Sequence, residues 1–228
     1  MQRPPVANCD MALLVFSVHS PDISFDLIDR YLICLEKAHL TPVLIFSKND
    51  LNTPEDEANV RSVYRDSGYE MRFISTDDKN SIADVRQLIE HHVATVAGPS
   101  GAGKSSLLNA LTGREELETQ AVSKATGRGR QTTRHTELVA LSADTFICDT
   151  PGFSTVYLPK IPETEAKVFF NEFDELSENC RFRGCVHINE PSCAVKKAVE
   201  EGQISRVRYD DYCRIYEELK DINKRSYR

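Results

Sequence analysis

Hydrophobic and polar positions fall into two alternating periods along the first half of the chain. Met11 to Val18 is an almost continuous apolar run, the pattern of a strand buried on both faces. Ser24 then reads as an N-cap, and Leu27, Ile28, Tyr31, Leu32 and Leu35 recur at the spacing of one helix face. Pro42-Val43-Leu44-Ile45-Phe46 predicts a second buried strand. Thr53-Pro54-Glu55-Asp56 opens the next helix with a cap, a first-turn proline and first-turn acids. A strand over Met71–Ser75, a helix over Ser81–Ile89, a strand over His92–Ala97 and helical turns over Ser106–Leu111 follow. This alternation predicts an α/β fold, a mostly parallel sheet with helices on both faces.

Residues 114–134 break the rhythm: they are polar and basic, without a clear period. Thr136–Leu141 and Thr145–Cys148 read as a hairpin pair around Ser142-Ala143-Asp144. Residues 153–162 read as loop. From Glu163 the pattern turns helical and ends in two helical stretches, Ala194–Glu201 and Ser205–Asn223. The organisation expected is a lead-in over 1–10, an α/β domain over 11–162 and a small helical module over 163–228.

At 228 residues the chain can bury one large core, or one core and a small satellite. It contains no apolar run of membrane-spanning length and opens with no signal peptide, so the expectation is a cytoplasmic protein with no membrane partner. The net charge of −7 is unevenly spread. Residues 114–134 hold five basic and three acidic residues, and residues 180–228 hold eleven and eight. An acidic body with a basic loop and tail argues against wrapping free nucleic acid and permits a local contact with it.

Gly98-Pro99-Ser100-Gly101-Ala102-Gly103-Lys104-Ser105 matches G-x-x-x-x-G-K-[ST] at every fixed position, between a strand and a helix. Glycines there let backbone N–H groups turn inward around an anion, and the helix N-terminus adds its positive dipole end. Lys104 would reach β- and γ-phosphates, the Ser105 hydroxyl would ligate Mg²⁺, and Ser106 would extend the phosphate cradle. Asp149-Thr150-Pro151-Gly152 has the form D-x-x-G at a strand end. Asp149 there can hold Mg²⁺ through water, and Gly152 can offer its N–H to a γ-phosphate.

Ser47-Lys48-Asn49-Asp50 follows a buried strand. A carboxylate here can accept from the N1–H and N2–H₂ edge of guanine, an edge adenine lacks, so Asp50 would select GTP over ATP. The Lys48 stem could lie against the base. Ser75-Thr76 ends the next strand and could offer an N–H to guanine O6. Between the phosphate loop and D-x-x-G lies Gly127-Arg128-Gly129-Arg130-Gln131-Thr132-Thr133-Arg134. A threonine there can complete Mg²⁺ coordination, and Thr132 and Thr133 are both candidates. Of seven cysteines, Cys9, Cys34, Cys148 and Cys213 are scattered. Cys180, Cys185, His187 and Cys193 cluster as C-x4-C-x-H-x5-C, three thiolates and an imidazole suited to one closed, structural Zn²⁺ site.

The order of these motifs is the sharpest feature. GTPases ordinarily run phosphate loop, switch threonine, D-x-x-G, then N/T-K-x-D. Here Ser47–Asp50 and Ser75-Thr76 precede the phosphate loop, Thr132/Thr133 and Asp149–Gly152. With G-R-G-R-x-T-T, D-T-P-G and the cysteine–histidine spacing, the chain resembles the circularly permuted, ribosome-small-subunit-dependent GTPase A family from Arg3 to near its C-terminus. That resemblance implies a late assembly factor of the small ribosomal subunit, its GTP hydrolysis stimulated by the subunit, with GTP/GDP, the subunit and its rRNA as partners of a monomer.

The chain departs from the family pattern in three places. It starts where the family's N-terminal OB-fold domain should end. Ser47 stands where Asn or Thr is usual, and Gln131 stands where His is frequent and could orient the attacking water. Phe153 occupies the position after D-x-x-G where many GTPases carry a water-orienting Gln, which implies slow unstimulated turnover. Two other readings compete: a nucleotide-gated rRNA-binding scaffold with incidental hydrolysis, and a P-loop kinase or ATPase with an incidental zinc knuckle.

Overall fold

The computed structural model describes residues 8–113, 137–149 and 156–226. In chain order the elements are β1 (Met11–Ser17), α1 (Phe25–Lys37), β2 (Thr41–Ser47), α2 (Pro54–Val63), β3 (Glu70–Phe73), α3 (Lys79–Leu88), β4 (Val93–Ala97), α4 (Lys104–Thr112), β5 (Glu137–Ala140), β6 (Phe146–Asp149), α5 (Asp174–Ser177), α6 (Ala194–Glu200) and α7 (Arg206–Ser226). The described chain divides into two compact units. One comprises the chain up to Ile23, Leu40–Asn52, and Met71 to the end of β6. The other comprises Ser24–His39, Thr53–Glu70 and the described chain from Val156 on.

The first unit carries a six-stranded sheet of order β3-β2-β1-β4-β6-β5. β1 pairs in parallel with β2 and β4, and β4 pairs in parallel with β6, while β5 runs antiparallel to β6. Every residue of β1 is buried, which is why its sequence is apolar at consecutive positions rather than alternate ones. Leu13, Val15, Val43, Ile45 and Val96 form one core with Val85 of α3 and Leu107, Leu108 and Leu111 of α4. Phe46 and Phe73 stack with centroids 4.9 Å apart. At its foot the sheet is closed by Asp10, whose Oδ1 accepts from the Val93 N–H at 3.1 Å and whose Oδ2 lies 3.2 Å from His92 Nδ1.

In the second unit the caps expected from the sequence form. Ser24 Oγ accepts from Leu27 N, and Thr53 and Asp56 close a reciprocal capping box at the start of α2. The sequence pattern turns helical from Glu163, and there the chain makes two 3₁₀ turns, Glu163–Phe169 and Asn171–Phe173, rather than a continuous α-helix. Phe170 separates them at φ −120°, ψ 75°, and its fully buried ring lies edge-on to Tyr212 with centroids 5.2 Å apart. Burial of an aromatic at that spacing overrides helical continuity. α7 anchors this core through Tyr209, Tyr212, Ile215 and Leu219.

Candidate functional site

Three parallel strands end side by side at their carboxyl edge. Ser17 of β1 is in register with Ser47 of β2, and Leu14 of β1 with Ala97 of β4. Ligands of open α/β sheets bind at such an edge, where strand order reverses. Here β1 is the strand from which the sheet grows in both directions. The motif-bearing loops leave from this edge.

Gly98 follows β4 at φ 135°, and a Cβ on it would sit 2.1 Å from the Val15 carbonyl oxygen, so only glycine lets the loop pass β1 this closely. Gly101 and Gly103 also take positive φ, 81° and 88°. Gly103 is the N-cap of α4, and Lys104 and Ser105 begin its first turn. Lys104 Nζ donates to the carbonyls of Gly98 at 2.9 Å and Pro99 at 2.6 Å, holding its charge over the loop. Ser100 and Gly101 are exposed, Pro99 and Lys104–Ser106 are half-buried, and Ala102 is buried beneath them.

The Ser47–Asp50 loop is fastened to this cradle. Buried Ser47 directs Oγ to the Ala102 carbonyl at 2.5 Å and the Phe16 carbonyl at 3.2 Å. Lys48, in the left-handed region at φ 57°, donates from Nζ to the carbonyls of Ser20 at 2.5 Å and Gly101 at 2.9 Å. Its ammonium therefore bridges the loop after β1 and the phosphate loop. Ser75 Oγ donates to Asp50 Oδ1 at 3.0 Å, and Asn49 N donates to Ile74 O at 3.0 Å. These bonds join the loops after β2 and β3 and orient the Asp50 carboxylate. Thr76 follows in the same loop, half-buried.

Asp149 ends β6, paired with Glu137 of β5. Gln131, Thr132, Thr133, Thr150, Pro151, Gly152 and Phe153 lie outside the described residues.

In the second unit Cys180, Cys185, His187 and Cys193 bring their ligand atoms within 4.8 Å of one another. His187 Nδ1 is 3.6 Å from Cys180 Sγ and 3.3 Å from Cys193 Sγ. Its Nε2 lies 3.1 Å from Ser177 Oγ. The Ser177 hydroxyl proton goes to the Phe173 carbonyl at 2.7 Å, so Oγ accepts from Nε2–H and leaves the Nδ1 lone pair facing the thiols.

The backbone around the cluster is pinned from several sides. Glu190 accepts from the N–H groups of Val186 at 2.7 Å and Ile188 at 3.0 Å. Lys167 donates to the Cys185 carbonyl at 2.8 Å, Tyr209 donates to that of His187 at 2.7 Å, and Tyr212 to that of Val186. Burial pushes the Cys185 thiol up to about 12 and raises Cys193, and it lowers His187 to about 4. A neutral imidazole ringed by thiols is the donor set of a tetrahedral soft-metal site, and a bound dication would draw the thiols to thiolate. The residues fit zinc.

Motif composition carries no trace of the supporting contacts, namely the Ser20 carbonyl under Lys48, the Ser177 hydroxyl behind His187 and the Glu190 bridge. Each is a backbone or hydroxyl contact of an ordinary surface residue type.

The family description "RsgA GTPase" matches residues 1–159. The chain belongs to the RsgA GTPase family. Among RsgA relatives, the small ribosomal subunit biogenesis GTPase RsgA of Agathobacter rectalis is 44% identical over 222 residues, 97% of this chain and 74% of that protein. The protein of the same description from Geobacillus sp. (strain WCH70) is 44% identical over 227 residues, 98% and 77% of the two chains. Two solved structures resemble the fold at a TM-score of 0.77. YloQ, described as a circularly permuted GTPase, is 34% identical over 96% of this chain and 71% of its own. YjeQ from Thermotoga maritima is 32% identical over 96% and 74%. The chain order, in which β2 and the Ser47–Asp50 loop precede β4 and the phosphate loop, is that of a circularly permuted GTPase.

Proposed function

We propose that this chain hydrolyses GTP as an assembly factor of the small ribosomal subunit, and that binding to the subunit stimulates the reaction. The observation that carries the reading is the joining of the Asp50 loop to the phosphate loop through Ser47 and Lys48 at one sheet edge. Asp50 reads the guanine N1–H and N2–H₂ edge, with Ser75 holding the carboxylate and Thr76 offering its N–H to O6. Gly98–Gly103 wrap the phosphates. Lys104 leaves the Gly98 and Pro99 carbonyls for the β- and γ-phosphate oxygens, with Ser106 completing the cradle. Ser105, Asp149 and either Thr132 or Thr133 would hold Mg²⁺, which when bound would neutralise charge developing on the phosphates. Gln131 orients the water and Gly152 meets the γ-phosphate.

In this reading residues 11–162 form the permuted GTPase domain, and 163–228 form a module closed by one structural Zn²⁺ on Cys180, Cys185, His187 and Cys193. The protein acts as a monomer in the cytoplasm and touches rRNA on the subunit. No helix among the described residues is long and apolar enough to cross a membrane. Unstimulated turnover near ~10⁻⁴–10⁻³ s⁻¹ is expected, rising up to about 10⁵-fold with the activating partner. The test is GTP hydrolysis with purified small subunits, large subunits and no ribosomes. An unstimulated rate on the order of 1 s⁻¹ would contradict the reading of a partner-gated switch.

A further inference from the structure

The second unit buries a set of charges remote in kind from any nucleotide chemistry. Arg208 of α7 is 1% exposed, and it donates from Nη1 to Asp29 of α1 at 2.5 Å and from Nε to Glu172 at 2.7 Å. Tyr64, at the end of α2, adds its hydroxyl to Asp29 Oδ1 at 2.9 Å. One turn along α7, Asp211 is wholly buried, and its Oδ1 is met by Arg214, whose own side chain is 61% exposed. Three buried carboxylate oxygens in this cluster have no hydrogen-bond partner among the described residues: Asp26 Oδ1, Asp29 Oδ2 and Asp211 Oδ2.

Among the described residues, the groups facing Asp211 are therefore Asp26 and Asp29 from α1, Tyr64 from the end of α2, and Arg208 and Arg214 from α7 itself. Glu172 faces Arg208 from the 3₁₀ turn before α5. Arg30 is bound to Asp26 at 2.8 Å and to Glu218 at 2.7 Å. Arg208 already serves two carboxylates. Asp211 is left with one half-solvated cation and two neighbouring acids. Burying three acceptor oxygens without a donor is costly, and a single proton converts one of them from acceptor to donor.

We infer that Asp211 is a proton-binding site of the folded protein, carried as the neutral acid on the acid side of neutrality, so that the α1–α7 packing of this unit is proton-linked. Desolvation, then the Asp29 charge, places the Asp211 carboxyl at about 7, and burial raises Asp29 to about 6. A carboxyl held above its unfolded value of 3.8 contributes its full stability below that value and loses it as pH rises towards 7. The Asp211 contribution to the stability of the unit is therefore largest in acid and fades through neutrality.

The experiment compares thermal unfolding of the full zinc-loaded chain with that of D211N between pH 5.5 and 8.5. A ¹³C carboxyl NMR titration of the wild type is independent of the variant's folding. Asparagine mimics the neutral acid. The expected result is a wild-type Tm that falls relative to D211N by roughly 3–5 °C per pH unit up to about pH 7. The Asp211 carbon should titrate near neutrality. Parallel Tm curves, or an Asp211 carbon titrating near the ordinary ~4, overturn the inference.

Discussion

Ser47→Ala isolates the fastening between the base-reading loop and the phosphate loop. The Ser47 side chain is buried, and its single hydroxyl proton faces Ala102 O at 2.5 Å and Phe16 O at 3.2 Å. The shorter contact carries the bond. Alanine keeps the Cβ, so little cavity opens. What is lost is a net hydrogen bond of about 1 kcal/mol, and the buried Ala102 carbonyl is left unsatisfied, for a total of about 1–3 kcal/mol. In the proposed reading Ala102 belongs to the loop that wraps the phosphates, so the cost appears as disorder of that loop in the free protein, repaid on binding. At 1.4 kcal/mol per tenfold, GDP affinity should fall roughly 5- to 150-fold. The assay is equilibrium titration with a fluorescent GDP, repeated with ATP in competition. The GTP-over-ATP preference should stay unchanged, because Asp50 and its Ser75 bond are untouched. Affinity within twofold of wild type in a folded variant, or loss of the base preference, would refute the reasoning.

Other consequences follow from the same geometry. Gly98→Ala drives a Cβ against the Val15 carbonyl at 2.1 Å, so nucleotide binding should vanish in calorimetry while the zinc content of the protein stays intact. Asp50→Asn replaces an acceptor pair with one acceptor and one donor, so competition titrations should show the preference moving from GTP to XTP, whose base carries a carbonyl where guanine has an amine. Ser177→Ala removes the acceptor behind His187 Nε2, and chelator competition should show zinc affinity lower by about 10- to 100-fold. Zinc must displace protons from thiols held high by burial, so its affinity should rise steadily with pH from 6 to 8, read by the same competition.

The parallel sheet was legible because β1 and β2 are buried at nearly every position, which leaves unbroken apolar runs in the sequence. The caps at Ser24 and Thr53 were legible because capping is local chemistry within three residues. The 3₁₀ turns between Glu163 and Phe173 were not, since the helical spacing of apolar residues there comes from Phe170 and Phe173 packing on Tyr212 of α7, a contact made across the sequence. The candidate site divides in the same way. The phosphate loop and the cysteine–histidine spacing announce themselves through residue type. The clamp of Lys48 on Ser20 and Gly101 does not, because it uses backbone carbonyls 28 and 53 residues away. Ser75 is compositionally an ordinary strand end, and only the folded chain sets its hydroxyl on Asp50.

The central claim is that a permuted GTPase is switched by the small ribosomal subunit, and the most direct test is single-turnover GTP hydrolysis by this chain with and without purified small subunits. The account predicts slow turnover alone, strong acceleration by small subunits, none by large subunits and no turnover of ATP. GTP bound normally but hydrolysed at the same rate with and without small subunits would contradict it.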